Sequence, residues 1–242
     1  MTRSMTPVIR VGGVCAVAAL AVGCMTAKLE ESRTLATRIA GNETVVILAK
    51  PHVDGASSED EFMDCVGNKL AANAGIAVAP NDRFVDRLFP WFEPSTAPQR
   101  AEGVRRLLAK PMIAERIAET GVRYLIWLDG NTRKIDSGGS MSCAVGPGVA
   151  GCLGFGWWEK ESAYEATIWD LNEAKTAGTV SAKVNGTSAM LGVLVPVPFI
   201  ARVQATACDR LASQLQEFLR GAEPTAATAS LSRAPQQPVG LR

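Results

Sequence analysis

One hydrophobic stretch decides the fold, and it reads Val122-Arg123-Tyr124-Leu125-Ile126-Trp127-Leu128. Its β-branched, aromatic and aliphatic residues are typical of a strand. Because the run is apolar almost throughout rather than alternating, we predict a central strand that is buried on both faces. A helix is predicted directly before it, since Pro111 suits a first helical turn and Gly121 ends the segment.

The chain on the N-terminal side of this strand alternates between strand and helix patterns. A β-branched run predicts a buried strand at 44–49. Ser58 and Glu61 form a capping box that opens the next helix, and Gly75 closes it. Three further elements are predicted before the helix that starts at Pro111. They are a short strand at 76–79, a helix that starts at Asp82 and a helix that starts at Arg100.

On the C-terminal side, alternating residues at 164–171 and 179–185 predict a hairpin, and 199–220 predicts a long helix that Gly221 caps. The order β-α-β-α-α-β-β-β-α indicates a single α/β domain over 44–221. We expect a mixed sheet of about five strands, in two or three layers. The aromatic cluster at 89–94 is interpreted as a hydrophobic plug under a loop, with a ligand platform as the alternative.

Three short segments resemble the periplasmic α/β domain of the CsgG, LpoB and TolB N-terminal families, and of proteobacterial lipoproteins in general. They are the opening strand at 45–48, the helix-glycine-strand step at 118–126, and the aspartate-turn-glycine hairpin built from 168–171 and 178–180. The resemblance implies a role in scaffolding, secretion or activation. It transfers no catalytic residue.

The N-terminal segment predicts export to the cell envelope. A basic lead and an apolar run of thirteen residues precede Cys24, so 1–23 is predicted to be a signal peptide. The ending before Cys24 resembles a lipobox, which implies lipidation of that cysteine. In such lipoproteins a residue like Met25 after the cysteine implies the outer membrane. Ordinary signal cleavage with a soluble product is the alternative. We expect a tether at 24–43 and, from its Ala, Pro, Thr and Ser content, a disordered tail at 222–242.

Four further cysteines would then lie in an oxidising compartment. Cys143 and Cys152 flank a short glycine- and proline-containing loop, so they can form a local disulfide bond. Cys65 and Cys208 would then join the first and last predicted helices. Four buried thiols remain the alternative.

Few residues in the sequence are suited to catalysis. His52 is the only histidine, which argues against histidine-dependent triads and metal sites, and no phosphate-binding loop is present. We therefore predict no cofactor and no metal. With 25 basic and 24 acidic residues, the near-neutral chain is not expected to bind nucleic acid. Asp129 and Asp170 end predicted strands and could form a carboxylate pair for acid–base work, although solvated acids are commoner there.

The segment 138–158 contains seven glycines and ends in Phe155-Gly156-Trp157-Trp158. We expect a loop that binds a protein partner through Phe155, Trp157 and Trp158, because exposed tryptophan is a frequent hot spot. A lid over the sheet and insertion into a membrane are the alternatives. The leading hypothesis is a non-enzymatic envelope lipoprotein that binds a protein partner or assembles with itself. The rival is a hydrolase or transferase of envelope material that uses Asp129 and Asp170.

Overall fold

The computed structural model describes residues 25–50, 60–98, 100–147 and 149–221. Several features expected from the sequence lie outside these residues. They are the signal peptide at 1–23, the lipidation site Cys24, the loop histidine His52, the capping residue Ser58 and the tail at 222–242.

Six strands and five helices make up the described part of the chain. The strands are β1 (Met25–Arg33), β2 (Thr44–Ala49), β3 (Ala77–Ala79), β4 (Val122–Gly146), β5 (Val149–Asp170) and β6 (Lys175–Phe199). The helices are α1 (Asp60–Ala74), α2 (Asn81–Arg87), α3 (Ala101–Leu108), α4 (Pro111–Glu119) and α5 (Val203–Arg220). The predicted mixed α/β class is confirmed, with one strand more than the five expected.

The strands form a single mixed sheet in the order β1-β6-β5-β4-β2-β3. The pairings β1–β6, β6–β5 and β5–β4 are antiparallel, whereas β4–β2 and β2–β3 are parallel. The stretch 122–128 opens β4, between β5 and β2, and Leu125, Ile126 and Leu128 are completely buried there. The prediction of a buried central strand is therefore confirmed.

Two helical layers cover the sheet, so the fold has three layers. On one face α1 and α5 pack over Tyr124, Ile126 and Leu128. On the other face α2, α3, α4 and the segment after α2 pack over Leu125 and Trp127. Side-chain alternation from Tyr124 to Leu128 sends successive residues to these two separate cores, which explains why the stretch is hydrophobic throughout.

The disulfide between Cys65 and Cys208 joins α1 to α5, and the Cα atoms of the two residues are 6.3 Å apart. This bridge lies in the layer that also contains the stacked rings of Phe62 and Tyr164. The predicted link between the first and last helices of the domain is confirmed. Gly221 adopts the left-handed conformation at the end of α5, with a φ of 79°, as its position after the helix predicted.

The aromatic cluster at 89–94 divides between core and surface. Phe92 is buried in the second core and meets the edge of Phe84, with the ring centroids 5.2 Å apart. Phe89 is 62% exposed. The plug interpretation therefore holds for Phe92 but not for Phe89.

Strand β1 corrects the expectation of a tether at 24–43. It pairs with β6 from Met25↔Gly186 to Arg33↔Gly178, and eight of its nine residues are exposed. An edge strand of this kind is held by backbone hydrogen bonds to one neighbour and buries little apolar surface. Its sequence therefore carries no hydrophobic alternation that could distinguish it from a polar tether.

The glycine-rich segment at 138–158 is not a loop. It forms the distal parts of β4 and β5, which pair in register from Gly138↔Trp157 to Gly146↔Val149. Strand β6 also continues past the predicted end at 185 and pairs with β5 as far as Leu194↔Cys152. Three strands thus extend together beyond the helical layers, because backbone pairing between neighbours does not require the apolar pattern of a core strand.

Candidate functional site

The extension of the sheet is the most distinctive surface of the molecule. We call it the arm and define it as residues 137–146 of β4, 149–158 of β5 and 187–199 of β6. Neither hydrophobic core contains a described residue of the arm. The arm therefore exposes side chains that in an ordinary three-layer domain would be covered by helices.

The arm contains no Asp, Glu, Lys or Arg in any of its three strands. Charged residues instead lie at its base, at the level where the strands leave the helical layers. These residues are Arg133, Lys134, Asp136, Glu159, Lys160, Glu161 and Lys183. The molecule thus changes from charged to uncharged along the direction of the strands.

One face of the arm carries a cluster of large apolar side chains. Leu153, Phe155 and Trp157 alternate along β5 and so point to the same side of the sheet. Leu191 lies directly opposite Phe155 in the neighbouring strand. Leu153 is 74% exposed, Phe155 45% and Leu191 42%, and Trp157 is half-buried. We call these four residues the apolar face of the arm.

Trp158 lies on the other face, as the alternation of an extended strand requires. It is half-buried and sits opposite Ser137 and Ser188. The two adjacent tryptophans therefore do not form a shared lid over either core. The structure brings Phe155 and Trp157 together and separates both from Trp158.

Gly138 makes room for the ring of Trp157. A Cβ atom at position 138 would come within 2.9 Å of the indole Nε1 and 3.1 Å of Cε2. The indole of Trp157 therefore occupies the space that a side chain at position 138 would need. This contact gives one of the seven glycines a specific packing role that the sequence pattern did not reveal.

A disulfide bond closes the far end of the arm. Cys143 and Cys152 are direct cross-strand partners, and their Cα atoms are 4.0 Å apart. The predicted local bridge is confirmed, although it joins two paired strands rather than the ends of a loop. The bond fixes the register of β4 against β5 close to their hairpin turn.

Both outer edges of the arm lack a neighbouring strand among the described residues. On one side β2 ends opposite Leu128, so residues 137–146 of β4 have no strand on their outer side among the described residues. On the other side β1 begins opposite Gly186, so the outer edge of β6 is unpaired from 187 onwards. Exposed strand edges offer backbone donors and acceptors to another chain.

A buried carboxylate organises the base of the arm. Glu161 accepts a hydrogen bond of 2.7 Å from Lys183 and one of 2.9 Å from Arg133. Its side chain is only 8% exposed, whereas both cations reach solvent. The hydrogen bonds from Lys183 and then Arg133 hold the pKa of Glu161 below its ordinary value. The three residues tie β4, β5 and β6 together where the charged region ends.

The structure does not bring Asp129 and Asp170 together. Asp129 lies opposite Glu165, whereas Asp170 lies opposite Tyr124, five residues further back along β4. This offset corresponds to about 17 Å along the strands. The carboxylate pair required by the enzymatic hypothesis is therefore absent at these two positions.

Each of the two aspartates has its own local role. Asp129 lies 3.3 Å from the Lys50 ammonium group at the end of β2. Asp170 is buried, and both Nε and Nη2 of Arg123 donate to its Oδ2, at 3.1 and 2.8 Å. This contact raises the pKa of Arg123. Asp170 therefore acts as a structural acceptor at the start of the hairpin turn.

The described residues contain no group of three or more His, Cys, Asp or Glu side chains placed to hold a metal ion. None of the helices in the described ranges combines the length and apolar character needed to cross a bilayer.

The third strand of the arm, formed by β6, was not predicted from the sequence. The signal for it was the uncharged run at 184–201, whose strand character is weakened by Pro196 and Pro198.

No protein-family model and no curated protein matches this sequence. Two solved structures of PelC dodecamers from Paraburkholderia phytofirmans, one of them a variant, are similar to it at low levels. The first has 9% sequence identity and a TM-score of 0.38, and the alignment covers 82% of this chain and 100% of the PelC chain. The variant has 10% identity and a TM-score of 0.36, with coverages of 83% and 100%.

Proposed function

We propose that this chain is a non-enzymatic protein of the bacterial cell envelope that binds a protein partner, or a second copy of itself, through the arm. The observation that carries the proposal is the apolar face, where Leu153, Phe155 and Leu191 stay exposed beyond the helical layers. Clusters of exposed apolar side chains are typical of interaction surfaces. Anchoring by a lipid on Cys24, at the periplasmic face of the outer membrane, belongs to the same proposal.

The strand edges support a protein as the partner. An extended segment of another chain can add to an unpaired edge through backbone hydrogen bonds, while alternate side chains provide specificity. The outer edges of β4 at 137–146 and of β6 from 187, which pair with no other described strand, lie on either side of the apolar face. Backbone hydrogen bonding and apolar contact are thus available to one partner at the same place.

A lipid surface is the second candidate, and the distribution of charge favours it. The arm is uncharged, its base is charged, and Trp157 and Trp158 lie near the boundary between them. Tryptophan is enriched at membrane interfaces because its ring is apolar and its N–H is polar. Met25 pairs with Gly186 at the base of the arm. A lipid on Cys24 would therefore emerge close to the arm.

Site-specific photo-crosslinking in intact cells tests the proposal. A photoreactive residue replaces Phe155 in one strain and Met112 in another. Met112 is the control because it is 71% exposed but lies on α4, away from the arm. A protein partner or a second copy predicts a discrete crosslinked protein band from position 155 only. Absence of any protein band from 155, with the probe incorporated and the chain folded, contradicts the proposal.

Vesicle flotation separates the lipid candidate from the protein candidate. The unlipidated Cys24→Ser chain is mixed with phospholipid vesicles, alone and with Leu153→Glu and Phe155→Glu added. A lipid-binding arm predicts that the first protein floats and the second does not, because a charge is costly in an apolar environment. A protein-binding arm predicts that neither floats. It also predicts that Leu153→Glu and Leu191→Glu, introduced together into the chain that carries the photoreactive residue at position 155, abolish the crosslink.

A further inference from the structure

A cavity of about 400 Å³ lies within the helical layers, at the carboxyl end of β2. Its floor is formed by the end of β2, at Leu48 and Ala49, and by Trp127 on the neighbouring parallel strand β4. Ligand sites in α/β sheets commonly lie at the carboxyl ends of parallel strands, and volumes of this size suit small organic molecules. The position and size of the cavity therefore suit a small ligand.

The strongest sign of a ligand is the indole nitrogen of Trp127. The side chain is only 5% exposed, and its Nε1 has no hydrogen-bond acceptor in the described part of the chain. Buried polar groups are almost always paired, and leaving one unpaired is unfavourable. The ring is held at the cavity by an edge contact with Trp169, with the ring centroids 6.0 Å apart. An acceptor atom of a bound molecule would satisfy this donor.

The lining of the cavity defines the rest of the ligand. Val85 and the buried Phe92 supply apolar surface that suits an apolar body. Two exposed carboxylates border the same space, Asp60 in the first turn of α1 and Asp82 in the first turn of α2. The lining contains no Lys or Arg among the described residues. Carboxylates without a cation in the lining favour a positively charged group.

We propose that this cavity binds a small organic amine that has an apolar body and an oxygen acceptor. The acceptor receives the hydrogen bond of the Trp127 indole, the apolar body packs against Phe92 and Val85, and the ammonium group lies near Asp60 and Asp82. The proposal is independent of the arm, since no residue of the cavity belongs to it. The failure of either proposal leaves the other unaffected.

Titration of the full chain with three related probes, followed by NMR of the Trp127 indole N–H, tests the proposal. The probes are phenylalanine amide, which is cationic, N-acetylphenylalanine amide, which is neutral, and hydrocinnamate, which is anionic. We expect a saturable shift of the Trp127 resonance with the cation, a weaker response to the neutral probe and none to the anion. The resonance is assigned with Trp127→Phe, or by elimination of the other tryptophans if that variant does not fold.

Substitutions at the rim provide the matched controls. Asp60→Asn and Asp82→Asn should each weaken binding of the cation about three- to fivefold, as expected for partly solvated charges. Glu61→Gln and Asp86→Asn change exposed acids on the same helices that do not line the cavity, and they should leave affinity unchanged. The proposal is overturned if no probe gives a saturable shift at about 10 mM, a concentration that nearly saturates a millimolar site. Equal responses to cation and anion would also overturn it.

Discussion

Two guanidinium nitrogens of Arg123, Nε and Nη2, donate to the same carboxylate oxygen of Asp170, Oδ2. The other oxygen, Oδ1, accepts hydrogen bonds from the backbone N–H groups of Asn172 and Glu173, at 2.9 and 3.0 Å. A third guanidinium nitrogen of Arg123 donates to Glu43, at 3.2 Å. One buried carboxylate thus links β4, the end of β5 and the turn that leads to β6.

Replacing this carboxylate should destabilise the domain strongly. Asp170→Ala removes the acceptor of two charged hydrogen bonds and two backbone N–H groups, so we expect a loss of about 3 kcal/mol in the free energy of unfolding. Asp129→Ala is the comparison, because Asp129 is partly exposed and its ion pair with Lys50 should contribute about 1 kcal/mol or less. Urea denaturation of both variants measures the difference. Equal losses would show that Asp170 lacks this structural role.

The core of the fold was predictable because local signals and burial agreed there. The stretch 122–128 serves both cores, so its uninterrupted hydrophobicity reported a central strand. Gly121 and Gly221 marked helix ends because both adopt positive φ, which glycine tolerates best. The cysteine pairing was predictable because only one pair is close in sequence. These features depend on short-range chemistry or on burial, which leave a pattern in the sequence.

The remaining structure was not predictable because its strands are defined by neighbours rather than by a core. The arm lacks a helical cover, so its strands show neither the clean alternation nor the continuous hydrophobicity used to recognise them. Phe155, Trp157 and Trp158 lie outside both cores, and their predicted placement in a loop was wrong because they belong to β5. The Trp127 cavity depends on the meeting of β2, β4, α1 and α2, which no local pattern reports.

The disulfide bonds should differ in their contribution to global stability. The bond between Cys65 and Cys208 spans 143 positions in the sequence, and chain entropy gives it up to about 5 kcal/mol. The bond between Cys143 and Cys152 spans nine positions, which corresponds to about 2.7 kcal/mol by the same relation. Thermal melts of the two double-serine variants should therefore show the larger fall in Tm for the 65/208 variant. A larger fall for the 143/152 variant would contradict this order.

The contact between Gly138 and Trp157 should be sensitive to a single methyl group. In Gly138→Ala the new Cβ would overlap the indole, so we expect the ring to move outwards and its fluorescence to shift to the red. The effect on stability should stay below about 1 kcal/mol because Trp157 belongs to neither core. Gly156→Ala is the control, since the nearest atom to a Cβ there is 4.0 Å away. An unchanged spectrum in Gly138→Ala would contradict the contact.

Acid should weaken the base of the arm through Glu161. Its folded-state pKa is lowered by Lys183 and Arg133, so its stabilising effect is complete above the unfolded pKa of about 4.3. The effect is lost as the pH falls through the lowered folded-state pKa. Glu161→Gln should therefore reduce the dependence of Tm on pH between about 6 and 3. Glu159→Gln serves as the control, and identical pH profiles for Glu161→Gln and the unsubstituted chain would exclude this role.

The bond between Cys143 and Cys152 has a consequence for how the arm can change in evolution. Side chains alternate between the two faces of a strand, so a shift of one residue between the bond and the base would move Leu153, Phe155 and Trp157 to the opposite side. The bond blocks such a shift by fixing which residues of β4 and β5 lie opposite each other. Related chains could therefore lengthen or shorten the arm only by matched, even numbers of residues in paired strands. Single insertions would be confined to bulges such as the one between Lys134 and Asp136.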